Sequence, residues 1–311
     1  MPMEYRVLGQ TGLQVSALGY GASPLGSVFR PIDEAEGIQT VHAAIDAGIN
    51  FIDVSPYYGL TKAETVLGKA LATLPRDSYI LATKVGRYGA DEFDFSAARV
   101  TASVEESLRR LQVDHIDLIQ CHDIEFGSLE QVVHETLPAL RKVREQGKVR
   151  FIGITGYPLM IFRTVLDQTD VDTILSYCRF SLNDTALESL IPYLQEKGVG
   201  IISASPLSMG LLTERGAPDW HPAPEPLKAA CARAAAHCRS RGVDIAQLAL
   251  QFAVSNPAIA TTLVGTASPE NLRRNVAWSE HPPDPELLAE VQAMLAPVQN
   301  ATWPSGRPEN S

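Results

Sequence analysis

Eight short apolar runs, separated by stretches of helical periodicity, constrain this chain more than any other feature. They cover residues 18–21, 50–53, 80–83, 116–121, 151–154, 172–176, 200–204 and 260–264. Runs this short and this continuously apolar read as strands buried on both faces, as in a parallel sheet. Between them, Val100, Val104, Leu108 and Leu111 make one apolar stripe at helical spacing. Residues 35–47, 129–145, 187–197 and 269–278 also read as helices, with Gly48 and Gly198 at two of their C-caps. Eight nearly uniform strand–helix units favour an α/β fold closed as a (β/α)8 TIM barrel over an open doubly wound sheet. The expectation is a single barrel domain spanning residues 1–311.

Three segments exceed that repeat. Residues 5–8 and 13–17 flank Gly9-Gln10-Thr11-Gly12, a hairpin signal, and such a hairpin can plug the barrel bottom. Residues 205–256, between the seventh and eighth strands, hold a Pro-rich piece (217–224) and then two helical patterns. Long βα connections sit at the mouth of a barrel, so this insertion is either a lid or a surface addition. The tail from Pro297 is rich in Pro, Asn and Ser and is expected to wrap the surface.

The formal charge of −10 argues against nucleic acid and anionic membranes as partners, because both need basic patches. Cys121, Cys178, Cys231 and Cys238 show no paired framework, the pattern of free thiols in a reducing compartment. The first residues carry no signal-peptide pattern, and no run is long enough to span a bilayer. A cytoplasmic protein is expected, with a small-molecule substrate and an oligomeric state that the sequence leaves open. No HxxxH spacing marks a metal site, and none is expected.

Chemistry-bearing residues stand where strands end. Asp53 closes the second run and Tyr58 follows in its loop; Lys84 closes the third; His122 closes the fourth. Side chains at the C-terminal ends of neighbouring barrel strands converge on one mouth. Together the four suit proton-coupled hydride transfer. A tyrosine hydroxyl, with an ordinary pKa near ~10, needs a nearby ammonium to act as a base near neutrality. An Asp can hold that Lys ionised, and a His can orient the substrate oxygen.

Asp53, Tyr58, Lys84 and His122, with the flanking Gly48-Ile49-Asn50-Phe51-Ile52-Asp53 and Tyr58-Gly59, resemble the catalytic tetrad of the aldo-keto reductases. The resemblance runs over the whole chain. Longer strings are similar to one sugar-oxidising branch, the plant-type L-galactose dehydrogenases. They are residues 21–29 (GASPLGSVF), 121–129 (CHDIEFGSL), 204–214 (ASPLSMGLLTE) and 302–306 (TWPSG). The resemblance implies NAD-dependent oxidation of the C1 hydroxyl of L-galactose, or of a related aldose, to the lactone. An L-fucose or D-arabinose dehydrogenase and an NADPH-dependent aldehyde or ketone reductase remain as alternatives.

The string Gly19-Tyr20-Gly21-Ala22-Ser23-Pro24 begins like a dinucleotide fingerprint, but Pro24 replaces the third glycine and no helix opens there. The resemblance instead places the cofactor across the barrel mouth. It implies contacts from Thr155, Gly156, Ser176, Ser205, Leu207 and Gly210. Further contacts come from Gly265, Thr266, Ser268, Asn271 and Asn275 after the eighth strand. Ala204 stands where many relatives carry a tyrosine that stacks on the nicotinamide, and Ser176 where a glutamine binds its carboxamide. Gly265 and Asn271 stand where NADP-preferring members place a lysine and an arginine, which favours NAD. Ser27, Phe29, Tyr88, Asp123 and Glu125 are candidates for meeting sugar hydroxyls, or for fixing their own loops.

Overall fold

The computed structural model describes residues 3–28 and 30–311. The chain opens with an antiparallel hairpin, β1 (Tyr5–Val7) and β2 (Gln14–Ser16), in the register Tyr5↔Ser16 and Arg6↔Val15. Eight parallel strands then close a barrel. They are β3 (Leu18–Gly21), β4 (Phe51–Asp53), β5 (Ile80–Val85), β6 (Ile116–Cys121), β7 (Val149–Gly156), β8 (Thr173–Tyr177), β9 (Gly200–Ala204) and β10 (Thr261–Val264). Neighbours in the barrel follow chain order, and β10 pairs with β3 to close it.

Each apolar run becomes a strand because both of its faces are buried. Phe51, Ala82, Leu118, Leu175, Ile202 and Leu263 fill the barrel interior. The residues between them, such as Ile52, Leu81, Ile119, Ile174 and Ile201, face the surrounding helices. The hairpin plugs the bottom. Leu8, Leu13 and Val15 pack into that interior cluster, and Gln10 N–H donates to Gly198 O at 3.0 Å. Asn50, expected inside a strand, instead pins the plug: its side chain takes Ser16 N–H and donates to Gln14 O, both at 2.8 Å.

Helices α1 (Glu34–Asp46), α2 (Lys62–Leu71) and α3 (Ala97–Leu111) cover the first strands. Asp33 and Ser96 cap α1 and α3 through their side chains. The expected helix over 129–145 is three pieces, α4 (Leu129–Gln131), a π-turn (Val132–Thr136) and α5 (Leu137–Glu145). Pro138 is the physical reason, because it has no N–H to offer the carbonyl four residues back. After α6 (Leu159–Leu166) and α7 (Ile191–Glu196) comes the long insertion. Its second half, α8 (Glu225–Ser240) and α9 (Ile245–Val254), joins the outer ring. There Leu227, Cys231 and Ala234 pack with Leu287 and Val291 of α11 (Pro285–Leu295), which follows α10 (Pro269–Ser279). Only its first part, with Ser205, Met209 and Trp220, reaches the mouth. Among the described residues, no helix is long and apolar enough to cross a membrane. The four cysteines are free and buried.

Candidate active site

The strand alternation delivers polar side chains to the mouth. Phe51 points inward, so Asp53 two residues on does too; Ala82 leads to Lys84, and Leu118 leads to Gln120 and His122. The registers Asp53↔Ala82 and Lys84↔Gln120 place these groups side by side on β4, β5 and β6. Tyr58 arrives from the loop after β4, folded back by a Tyr58 N–H bond to Ser55 O at 3.1 Å. That loop is pressed onto the one after β3. A Cβ on Gly59, whose φ is +64°, would sit 2.1 Å from Gly26 O, so only glycine fits.

Lys84 Nζ is the hub. It is ion-paired with Asp53, donates to Val54 O at 2.9 Å and lies 3.3 Å from the Tyr58 hydroxyl. Gln120 Nε2 donates to the other Asp53 oxygen at 2.8 Å. Lys84 and Asp53 are almost wholly buried. Burial opposes the charge on Lys84, but Asp53 and Tyr58 outweigh it and raise its pKa. Burial pushes the Tyr58 hydroxyl up to about 12, and the Lys84 ammonium works against that rise. His122 Nδ1 meets Ser55 Oγ at 3.0 Å, and burial pushes its pKa down to about 3. At neutral pH His122 is therefore an uncharged hydrogen-bonding group.

These four line a cavity of about 470 Å³ with Ser23, Val28, Tyr57, Arg87, Asp123, Thr155, Leu175, Tyr177, Ala204, Ser205, Met209 and Trp220. A larger cavity, about 710 Å³, lies at the opposite end of the barrel among Gln10, Arg141 and Lys197 and holds none of the four. Arg87 has no sequence signal, yet it pairs with Asp123 at 2.6 Å and lies 4.0 Å from the Tyr57 ring centre. Burial resists ionisation of Asp123, but His122 and Arg87 together hold its pKa below the ordinary value. Asp123 N–H donates to Thr155 Oγ1 at 2.9 Å, which fixes the loop. Gln120 and Tyr177 were legible in principle, as polar or aromatic residues at inward positions of apolar strands.

Other expected site residues lie elsewhere. Ser176 is fully buried and off the cavity; Ile174 before it faces the helices, so Ser176 does too. The residue presented to the mouth is Tyr177, paired across the sheet with Ala204. A one-residue slip in reading a strand moves a side chain to the other face. Gly156 points outward as well, where a Cβ would meet Ile161 at 2.3 Å and Glu125 Oε2 at 2.7 Å. Thr155 and Ser205 line the cavity; Leu207 and Gly210 belong to the adjoining turn. Tyr88 does not reach the cavity: its hydroxyl takes Gly86 N–H at 3.1 Å and its ring lies under Arg99. Ser27 accepts from Lys62 at 2.7 Å. Phe29 lies outside the described residues.

Around α10, Ser268 caps the helix through Asn271 N–H, and Thr266 Oγ1 accepts Ser268 N–H at 3.1 Å. Asn271 Oδ1 accepts from Arg274 at 2.8 Å, and Arg274 leans on Trp278, the next turn of the same helix. Arg273 faces a groove among Glu36, Asp46 and Glu270. Gly265 packs against Gly21 and Pro24, and Asn275 lies one turn along α10 from Asn271. The groups at this end are thus hydroxyls, amides and glycine, with the guanidinium groups of Arg273 and Arg274 beside them.

Glu125 is buried and takes three donors on Oε1: Tyr157 N–H at 3.1 Å, and Tyr177 Oη and Ser305 Oγ at 3.2 Å each. Burial, then repulsion from Asp123, pushes its pKa up to about 8. Folding therefore holds a proton that the unfolded chain releases above its ordinary value of 4.5. Stability conferred by the neutral acid is full below pH 4.5 and is lost progressively as pH rises to about 8. Glu125→Gln should flatten that decline in Tm between pH 5 and 8, measured by thermal melts. A decline as steep as in the parent chain would contradict it.

Residues 17–296 match the aldo/keto reductase family. The chain belongs to the aldo-keto reductase family. It is 56% identical to L-galactose dehydrogenase of Arabidopsis thaliana, covering 99% of each chain. It is 33% identical to D-threo-aldose 1-dehydrogenase of a Pseudomonas species, covering 92% of this chain and 96% of the relative. Among solved structures, it superposes on the holo form of an aldo-keto reductase from Bacillus halodurans with a TM-score of 0.78. That pair is 29% identical, over 97% of this chain and 98% of the other. Aldo-keto reductases are oxidoreductases that use a nicotinamide cofactor, and this aldo-keto reductase has their closed (β/α)8 barrel.

Proposed function

We propose that this protein oxidises the C1 hydroxyl of L-galactose, or of a closely related aldose, to the lactone with NAD. The observation that carries the reading is the buried Asp53–Lys84–Tyr58 cluster beside neutral His122 on one cavity wall. Its similarity to two aldose dehydrogenases supports the substrate class. Nicotinamide, when bound, supplies a hydride acceptor. Gly265 and Asn271 are uncharged where a 2′-phosphate needs cationic partners, which supports NAD. Arg274 donates to Asn271 Oδ1, and Arg273 lines a groove with Glu36, Asp46 and Glu270.

In this reading Lys84 stabilises Tyr58 as the phenolate, which takes the proton from the C1 hydroxyl and ends as the neutral phenol. Asp53 and Gln120 hold Lys84 in place. His122, uncharged, donates to or accepts from the substrate oxygen and orients it. Asp123 and Arg87 present a charged pair to the sugar hydroxyls within the same cavity.

The test is initial-rate NADH or NADPH production with L-galactose, L-fucose, D-galactose and D-glucose. L-Galactose with NAD should give the highest kcat/KM, with L-fucose, which lacks only the C6 hydroxyl, next. D-Galactose and D-glucose should fall behind by about 10²-fold or more, since a wrong epimer leaves buried polar groups unpaired. Equal turnover of D-glucose would overturn the substrate assignment, and a preference for NADP would overturn the cofactor assignment.

A further inference from the structure

The string Thr302-Trp303-Pro304-Ser305-Gly306 lies outside the cavity but is bonded to residues that wall it. Tyr177 ends β8, four strands round the eight-stranded barrel from β4, and so faces Asp53 across the mouth. Its ring leans on Tyr157 at 5.4 Å between centroids, and Tyr157 stacks on Trp303 at 4.9 Å. Its hydroxyl shares Glu125 Oε1 with Ser305 Oγ. The tail also grips the backbone of the loop that follows His122. Arg307 N–H and Asn310 Nδ2 both donate to Glu125 O at 2.9 Å, and Asn310 Nδ2 also reaches Gly127 O at 2.9 Å. Gly306, at φ +86°, lies so close that a Cβ there would be 2.5 Å from Glu125 O. Trp303 and Asn310 are buried by these contacts.

We propose that tail residues 303–310 are a positioning element of the active site, holding the Tyr177 ring and the Asp123–Gly127 loop in place from outside the cavity. None of these tail residues lines the cavity, so they act through Glu125, Tyr157 and Tyr177. The Lys84–Asp53–Gln120 cluster shares no hydrogen bond with the tail, so the tail affects binding more than the chemical step. The inference rests on nicotinamide use by this family, and it stands or falls separately from the sugar assignment.

The test is a double-mutant cycle of Ser305→Ala and Tyr177→Phe. Each removes a hydroxyl from the shared Glu125 oxygen and leaves the rest of the side chain in place. Each single change should weaken NADH binding, read by cofactor fluorescence, by about 3- to 10-fold, the scale of one hydrogen bond. With any active sugar, Ser305→Ala, whose side chain lies outside the cavity, should keep kcat within about twofold of the parent. The double variant should be no worse than the weaker single variant, because both act on one link. Independent, multiplying effects would overturn the proposal. So would NADH binding that is unchanged while only Tm falls, the signature of a merely structural tail. Should no sugar turn over with NAD, the substrate reading fails, while the NADH-binding cycle still decides this one.

Discussion

Tyr58→Phe should lower kcat for sugar oxidation by about 10²-fold or more, while NADH binds as in the parent. The substitution deletes one oxygen and leaves the ring, which stands edge-on to His122 at 5.6 Å between centroids. The lost oxygen is the group 3.3 Å from Lys84 Nζ. Removal of a positioned general base costs a factor in this range. Among the described residues Lys84 Nζ bonds Asp53, Val54 O and Tyr58, so Tyr58 carries the one hydroxyl it meets. His122 is a poor substitute, since burial leaves it too weak a base near neutrality. Steady-state kinetics with the best sugar, and NADH titration of the same preparation, check the two halves. Retained turnover would remove Tyr58 from the proton path.

The barrel was legible because burial on both faces forces apolar continuity, and eight such runs admit few other arrangements. The hairpin was legible from Gly9 and Gly12, both at positive φ. Helices α2, α6 and α11 were not. Their short or mixed apolar patterns lie inside segments that also read as loops, and packing on the barrel makes them helical. At the site, Asp53, Tyr58, Lys84 and His122 were placed by their strand ends. Ser176 came from the family resemblance alone; the alternation of β8, which an apolar run does not reveal, turns it outward and presents Tyr177 to the cavity. The tail's grip on Glu125 joins residues about 180 positions apart, as in the bond from Ser305, and no local pattern encodes such a contact. Arg87 escaped notice for the same reason: its meaning comes from Asp123 on the next strand's loop.

Lys84→Met should damage both stability and catalysis, and a second substitution should separate the two. Lys84 and Asp53 form a buried ion pair, so removing the ammonium leaves Asp53 charged, buried and supported only by Gln120. Breaking such a pair from one side costs about 3–5 kcal/mol. Burial already raises the Asp53 pKa, and without Lys84 it rises further, so the variant should recover stability as acid protonates that carboxyl. Asp53→Asn in the Lys84→Met background removes the orphaned charge and should restore most of the lost Tm at neutral pH. Activity should not return. Lys84 is the charge that works against the burial-driven rise of Tyr58, and without it the phenol ionises at still higher pH. The rising limb of the kcat–pH profile should therefore move upward in both variants, with kcat at pH 8 lower by about 10²-fold or more. Thermal melts across pH and kcat–pH profiles of the three proteins are the measurements. A double variant that regained turnover along with its Tm would show that Lys84 serves only to neutralise Asp53, and its action on Tyr58 would have to be given up.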